Sequence, residues 1–517
     1  MKPKIVSAAE AVSGIADRSV IAVNSSSGLC CPDAVIAALG ERFRSEAAPR
    51  GLTMIHPIAA GDMFGTKGID HLAQEGMIDT IIGGSYPSGP STADSPLIWK
   101  LINSEKVAAY NLPSGIVFDI LREAAAHRPG VITKIGMDTF VDPKLEGCAM
   151  NGRARERPVV RRIEFEGEEW LYFPAVKPDV AIIRASVADE RGNLTFGHEG
   201  AYLGALDLAL AAHNCGGLVI AQAKFVTRAG TFRPHDVHVP GILVDKVVEA
   251  PDQLQTTATE HDPAISGEIL QPLHSFNIPE FGVAKVIARR VAREIKPGSV
   301  VNIGFGISAN VPRIFLEEGR HGEATWVIEQ GAIGGVPLLD FKFGCSSNAE
   351  AFVDSPHQFT YFQAGGFDAS LLSFLEIDGD GSVNVSKLSF RPHITAGAGG
   401  FVDITARARK IVFSGYFNAG AKFEIENGRL AITKEGKIPK LVRKLEQVSF
   451  SGRRARQLGQ EVIYVTERCV MQLTDDGLEV TEVAPGIDPA RDIQMQAECG
   501  LRISEKVGTM DLELFVP

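Results

Sequence analysis

The stretch S-V-V-N-I-G-F-G-I-S-A-N-V-P (Ser299–Pro312) decides the fold. Its first five residues form a short apolar, β-branched run, which predicts a buried strand. Gly304 and Gly306 then supply a turn, and the residues up to Pro312 open a helix. Helix-like Val283–Ile295 precedes the run. The same order appears near the start of the chain. Helix-like Ala8–Ile15 leads into S-V-I-A-V (Ser19–Val23), followed by a polar, small-residue turn and Pro32. Ser19 and Ser299, and Pro32 and Pro312, keep the same spacing.

A second echo lies downstream of each. V-A-D-E-R-G-N-L-T-F ends the apolar run I-I-R-A-S, and E-I-D-G-D-G-S-V-N-V ends L-L-S-F-L. Both read as strand, acidic turn with Gly192 or Gly381, then strand. Small-residue helices follow, around Leu206–Ala212 and Asp403–Ala408, each before an apolar strand (L-V-I-A, I-V-F-S). Two related α/β halves with mostly parallel sheets are therefore predicted. The first half carries roughly ninety extra residues within about residues 50–170, including the hairpin-like E-F-E-G-E-E-W-L-Y-F. T-M-I-H-P-I, T-I-I-G-G, V-I-T-K-I, W-V-I-E and K-I-V-F read as further strands of these sheets, and Pro251–Pro279 as the linker.

Ligands of such sheets sit beyond the carboxyl ends of the strands. Three strand ends there could carry chemistry. Gly304, Gly306 and Ala309 match the dinucleotide pattern G-x-G-x-x-A, and Glu329 ends a second strand about twenty-five positions on. An NAD-binding domain is thus one reading. In T-W-V-I-E-Q-G-A-I-G-G-V-P, Glu329 stands beside Gly331, Gly334 and Gly335. It is either a carboxylate open to close approach or a turn residue capping a neighbouring backbone. In I-T-A-G-A-G-G-F-V-D-I, Gly397, Gly399 and Gly400 either present bare N–H groups to an anion or form a tight loop.

Composition narrows the classes. A net charge of -11 argues against non-specific nucleic-acid binding. Seven scattered cysteines with no C-x-x-C pair give neither a disulfide framework nor a structural zinc site. No apolar run reaches the eighteen residues of a membrane span, and Glu10, Asp17 and Arg18 break any signal-peptide core. A cytoplasmic protein is expected. No G-x-S-x-G elbow is present. The P-loop-like Gly61–Gly68 has the wrong lysine spacing. His235-Asp236-Val237-His238 lacks a third metal ligand and reads as a solvated loop, and Lys434–Lys444 as a solvated basic face.

Several motifs together carry a resemblance: A-Y-N-L-P-S-G (Ala109–Gly115), T-F-V-D-P (Thr139–Pro143), D-E-R-G-N-L-T-F, E-Q-G-A-I-G-G-V-P, G-D-G-S-V-N-V-S-K, G-A-G-G-F, Y-V-T-E-R and A-P-G-I-D (Ala484–Asp488). The chain resembles, almost end to end, the family I coenzyme A-transferases of the acetate/propionate and 3-oxoacid type. It is most similar to the single-chain acyl-CoA:acetate transferases. The resemblance implies two similar open α/β CoA-transferase domains: an alpha-subunit-like domain with an insertion over 1–275, and a beta-subunit-like domain over 276–517. It implies Glu329 as the nucleophile, and oxyanion and CoA contacts from the G-x-G-G-F loop, Gly397, Gly399 and Gly400. Ser114 stands where relatives carry an oxyanion-hole Gln, which leaves room for a water or a larger acyl group. The implied substrates are a short-chain acyl-CoA and a free carboxylic acid, with no permanently bound cofactor and a homo-oligomeric assembly.

The chemistry suits a glutamate. An unperturbed carboxyl with a pKa near ~4.3 is ionised at neutral pH and attacks a thioester without a general base. Ping-pong transfer through a glutamyl anhydride and a glutamyl-CoA thioester follows. The rivals are a thioesterase, which transfers the acyl group to water, and the NAD-binding protein.

Overall fold

The computed structural model describes residues 4–62, 65–88, 95–391 and 396–517. Two large sheets, one in each half of the chain, form its frame. The first runs, edge to edge, Lys4–Ile5, Lys246–Glu249, Leu218–Thr227, Val180–Asp189, Val20–Val23, Leu52–His56, Ile78–Gly83 and Ala108–Asn111, all parallel. The second runs Ala351–Phe352, Ala332–Ile333, Ala324–Val327, Ser299–Ile303, Ala369–Ser373, Lys410–Ser414 and Glu461–Val465, then Cys469–Thr474, Gly477–Val483 and Arg502–Thr509. From Ala324–Val327 to Glu461–Val465 its pairings are parallel; antiparallel pairings extend it on both sides, and Arg502–Thr509 closes one edge parallel to Gly477–Val483.

Five strands repeat in the same order. Leu52–His56, Val20–Val23, Val180–Asp189, Leu218–Thr227 and Lys246–Glu249 answer to Ala324–Val327, Ser299–Ile303, Ala369–Ser373, Lys410–Ser414 and Glu461–Val465. The register repeats as well: Ile21 pairs with Val180 and Val301 with Ala369. Those partners lie 159 and 68 positions apart, so the first half carries 91 extra residues at this point. The addition comprises the edge strands Ile78–Gly83 and Ala108–Asn111, their helices, and a separate three-stranded sheet. That small sheet contains the expected hairpin, Arg161–Phe165 with Glu168–Pro174, closed by Glu166 and Gly167 at positive φ.

One strand expectation fails. V-I-T-K-I does not join the parallel sheet; Gly130–Thr133 pairs antiparallel with Glu168–Pro174. Four apolar or β-branched residues look alike wherever they lie, and here the neighbouring hairpin supplies the nearer edge. Val131 and Ile132 stay partly exposed, unlike the central strands. The segment Pro251–Pro279 contains only a single 3-10 turn, Leu273–Ser275, yet it is not free. Gln253, Gln255, Thr256 and Ile265 are buried against the first half, and Gln271 bonds to Asn348 in the second.

The parallel strands are buried on both faces by Val, Ile, Leu and Ala. Their carboxyl ends meet where the two halves touch, and the site lies there.

Candidate active site

Glu329 lies two residues beyond the strand Ala324–Val327, in a turn closed by the Gly331 N–H donating to Ile328 O. Gly331 has φ +116°, and a Cβ there would sit 1.8 Å from Val353 O. Only glycine allows the chain to turn this tightly against its neighbour. The carboxylate is half-buried, with a dense shell of protein atoms around it. The Gly400 N–H donates to it, and Gln330 Nε2 donates to Oε1 at 3.3 Å and to Ser26 Oγ at 3.0 Å. Ser26 belongs to the turn after the first-half strand Val20–Val23, so both halves support the carboxylate.

The second glycine loop comes as close as backbone can. A Cβ on Gly400 would lie 2.3 Å from Glu329 Oε2 and 2.6 Å from the Phe359 ring; one on Gly399 would lie 3.9 Å from Oε1. The loop is fixed by the first half. Tyr86 N–H donates to Ala396 O (2.6 Å), Ala398 N–H to Asn111 Oδ1 (2.8 Å), Gly399 N–H to Gly84 O (2.8 Å) and Ser114 N–H to Gly399 O (3.0 Å). Gly397, at φ +95°, has Asn111 where a side chain would go. Ile394 and Thr395 of the quoted loop lie outside the described residues.

The five residues expected to cooperate thus meet, with different duties. Gly400 directs its N–H at Glu329. The Gly399 N–H is engaged by Gly84, so this residue offers an open flank rather than a free donor. Gly397 packs the loop on Asn111. Ser114 opens the helix Ser114–Ala125; its hydroxyl is fully buried and has no hydrogen-bond partner among the described residues.

Electrostatically the site is unusual. No ion pair to Glu329 exists among the described residues. Burial pushes the Glu329 carboxyl up from about 4.5 to about 7, against the lowering effect of the Gly400 and Gln330 hydrogen bonds. The expectation of an ordinary carboxylate near 4.3 does not hold here, because the enclosing residues remove water without supplying a cation. Asp403, fully buried one turn past Gly400, is raised further, to about 8, again mainly by burial. Its oxygens accept from Gly115 N–H and Gln363 Nε2, each at 3.0 Å.

The helix Ser355–Gln363 was not singled out from the sequence, yet it organises the whole site. Ser355 Oγ donates to Gln330 O, Phe359 packs against Gly400, and Gln363 holds Asp403. Its entry is pinned by Asp354, which accepts from Gly204 N–H (2.6 Å) and pairs with His238 Nε2 at 3.0 Å. His238 is also stacked on Tyr202, while His235 is exposed, so the two histidines do not converge on a metal. No group of three metal-ligating side chains occurs among the described residues.

The dinucleotide-like turn has a packing explanation. A Cβ at Gly304 would meet Leu372 at 2.7 Å, and one at Gly306 would meet Ser373 at 3.0 Å. The turn continues as the 3-10 segment Ile307–Asn310 before the helix Val311–Glu317 begins. Cys345, the nearest rival nucleophile in sequence, is buried with its thiol pushed up to about 12. Among the described residues no helix is long and apolar enough to cross a membrane.

Comparison with known proteins agrees with this geometry. The coenzyme A transferase family profile matches residues 5–250. Caffeate CoA-transferase of Acetobacterium woodii is 40% identical over 99% of this chain and 97% of its own length. Acetate CoA-transferase YdiF of Escherichia coli K12 is 38% identical over 99% and 95%. The apoenzyme structure of acyl-CoA transferase YdiF from Escherichia coli O157:H7 superposes with a TM-score of 0.91 at 37% identity, covering 100% of this chain and 96% of that one. A thioester complex of the same transferase with CoA gives 0.90 at 36% identity, with the same coverage.

Proposed function

The chain belongs to the coenzyme A transferase family, and from that premise we propose that it moves CoA from a short-chain acyl-CoA to a free carboxylic acid with Glu329 as the nucleophile. One observation carries the assignment of Glu329. Its carboxylate is half-buried at a strand end, receives one backbone N–H, and is flanked by glycines that leave its approach bare. The thioester complex with CoA solved for the YdiF relative supports the same chemistry.

The steps follow from the groups present. Ionised Glu329 attacks the thioester carbonyl carbon, forming a C–O bond and a tetrahedral oxyanion. The C–S bond breaks, and CoA leaves as a thiolate. The resulting mixed anhydride joins Glu329 to the acyl group. The thiolate attacks the glutamyl carbonyl and expels the acyl group as its carboxylate, leaving CoA as a thioester on Glu329. A second carboxylate runs the sequence backwards, so the kinetics are ping-pong. Once Glu329 is acylated, the Gly400 N–H that held its charge is released to the new carbonyl oxygen. One such donor contributes roughly 3 kcal/mol to an oxyanion transition state. Burial protects both intermediates from water. We take residues 1–275 and 276–517 as the two domains, with the nucleophile in the second and its supports in both.

A second reading, a larger aryl acid as the acceptor, rests on the relative named caffeate CoA-transferase and on Ser114, a shorter side chain than the Gln the resemblance leads one to expect there. A panel of acyl-CoA donors against acetate, propionate, acetoacetate and caffeate tests both. Parallel-line initial-rate patterns with a carboxylate acceptor are expected. Steady release of free CoA without any acceptor would make the protein a thioesterase instead.

A further inference from the structure

We propose that Asp403 is a positioning residue that clamps the Gly397–Gly400 loop to the first turn of the helix Ser114–Ala125 and so keeps the Gly400 N–H aimed at Glu329. The inference rests on the role given to Glu329 above. Asp403 is 0% exposed and forms no ion pair among the described residues. A lone buried carboxyl of this kind is costly, and its retention needs a reason. Its bonds indicate that reason. Oδ2 accepts from the Gly115 N–H, one of the open donors in the first turn of the first-half helix. Oδ1 accepts from Gln363 Nε2, which also donates to Asp119 Oδ2 at 3.2 Å. Asp403 is thus an N-terminal cap supplied across the junction, from 288 positions away.

The clamp has a second strand. The Ser114 N–H, beside Gly115, donates to Gly399 O, and Gly400 is the cap residue of the short helix Phe401–Thr405 that carries Asp403. Two adjacent amides of one half therefore hold two points of the loop, on either side of the residue that touches Glu329. Releasing Asp403 leaves the Gly115 N–H without its acceptor and Gln363 Nε2 with Asp119 Oδ2 alone. The loop then keeps its backbone bonds and the one to Asn111 Oδ1, and Gly400 loses the anchor on its C-terminal side. Such a loss of alignment matters because hydrogen bonds weaken steeply with misalignment.

Asp403→Ala and Asp403→Asn separate positioning from bulk stability. Asparagine retains an acceptor for the Gly115 N–H and, with the Gln363 amide turned over at the expense of its bond to Asp119, the second bond; alanine retains neither. The expected result for Asp403→Ala is a kcat lower by about 100-fold with KM within about threefold, and faster backbone hydrogen exchange over residues 396–404. Asp403→Asn should recover at least a tenth of wild-type kcat and near-native exchange. If Asp403→Ala fails to fold, Gln363→Leu, which removes one of the two bonds, should give an intermediate kcat loss with the same exchange signature. A folded Asp403→Ala with kcat within threefold of wild type overturns the proposal, as does an Asn variant no better than Ala. Absence of CoA transfer by the wild-type protein would instead overturn the reading of the site. The exchange measurement is independent of that outcome.

Discussion

Glu329 is a carboxyl that holds its proton near neutrality, and the proposed attack on a thioester requires losing it. The kcat/KM for acyl-CoA should therefore rise with pH through about 7 and then level, following the free-enzyme carboxyl. A flat profile between pH 5 and 8 would contradict the buried, uncompensated site. The same shift predicts a stability effect. The folded-state pKa is raised above the unfolded one, so the proton favours folding below about 4.5, and that contribution disappears as pH rises to about 7. The difference amounts to about 3 kcal/mol at pH 8. Glu329→Gln should abolish transfer and yet raise Tm relative to wild type more at pH 8 than at pH 5. The neutral amide avoids the cost of the buried charge, and Gln330, whose Oε1 is unpartnered among the described residues, can turn to meet it. At this scale the sequence marked Glu329 only as a candidate, a carboxylate after an apolar run and before three glycines, and the role of nucleophile was implied by the family resemblance. The sequence did not reveal the proton affinity, which depends on burial by the surrounding fold and on a hydrogen bond from Gly400, far along the chain. Asp403 looked like any acid in the first turn of a helix, since its partner Gly115 is in the other half.

Two glycine loops and one helix define the reactive space. Gly400 has φ -82°, so alanine is allowed by its backbone; the obstacle is its neighbours. Gly400→Ala should fold and should push the Glu329 carboxylate off its N–H, lowering kcat by about 100-fold. Steady-state kinetics on a variant shown by circular dichroism to be folded checks this, and unimpaired turnover would mean that the loop stands farther from the nucleophile than described. The loops were legible as loops because glycine clusters at strand ends have few structural alternatives. The helix Ser355–Gln363 was not. Its sequence, S-P-H-Q-F-T-Y-F-Q, carries no chemical motif, and its importance lies only in which loops it touches. V-I-T-K-I was misassigned for a related reason: strand propensity is local, whereas the choice of sheet depends on which edges are nearby.

Across the whole molecule, the repeated strand order explains why the site lies where it does. Strands of each half end at the junction, and turns from both contribute: Ser26, Gly84, Asn111 and Ser114 from one, Glu329, Gly400 and Asp403 from the other. The repeat was readable from Ser19–Val23 against Ser299–Ile303 because parallel strands buried on both faces leave continuous apolar runs. The face-to-face placing of the halves was not, since it depends on hydrogen bonds between residues hundreds of positions apart. The central claim is that this junction makes a carboxylate, and no other group, the carrier of CoA. Peptide mass spectrometry after incubation with an acyl-CoA and no acceptor acid tests it most directly, with borohydride trapping of the thioester before digestion. The predicted result is reduction of Glu329 to the alcohol in the tryptic peptide 321–342, seen only after acyl-CoA treatment. Modification of Cys345, or no modification while CoA transfer proceeds, would contradict it.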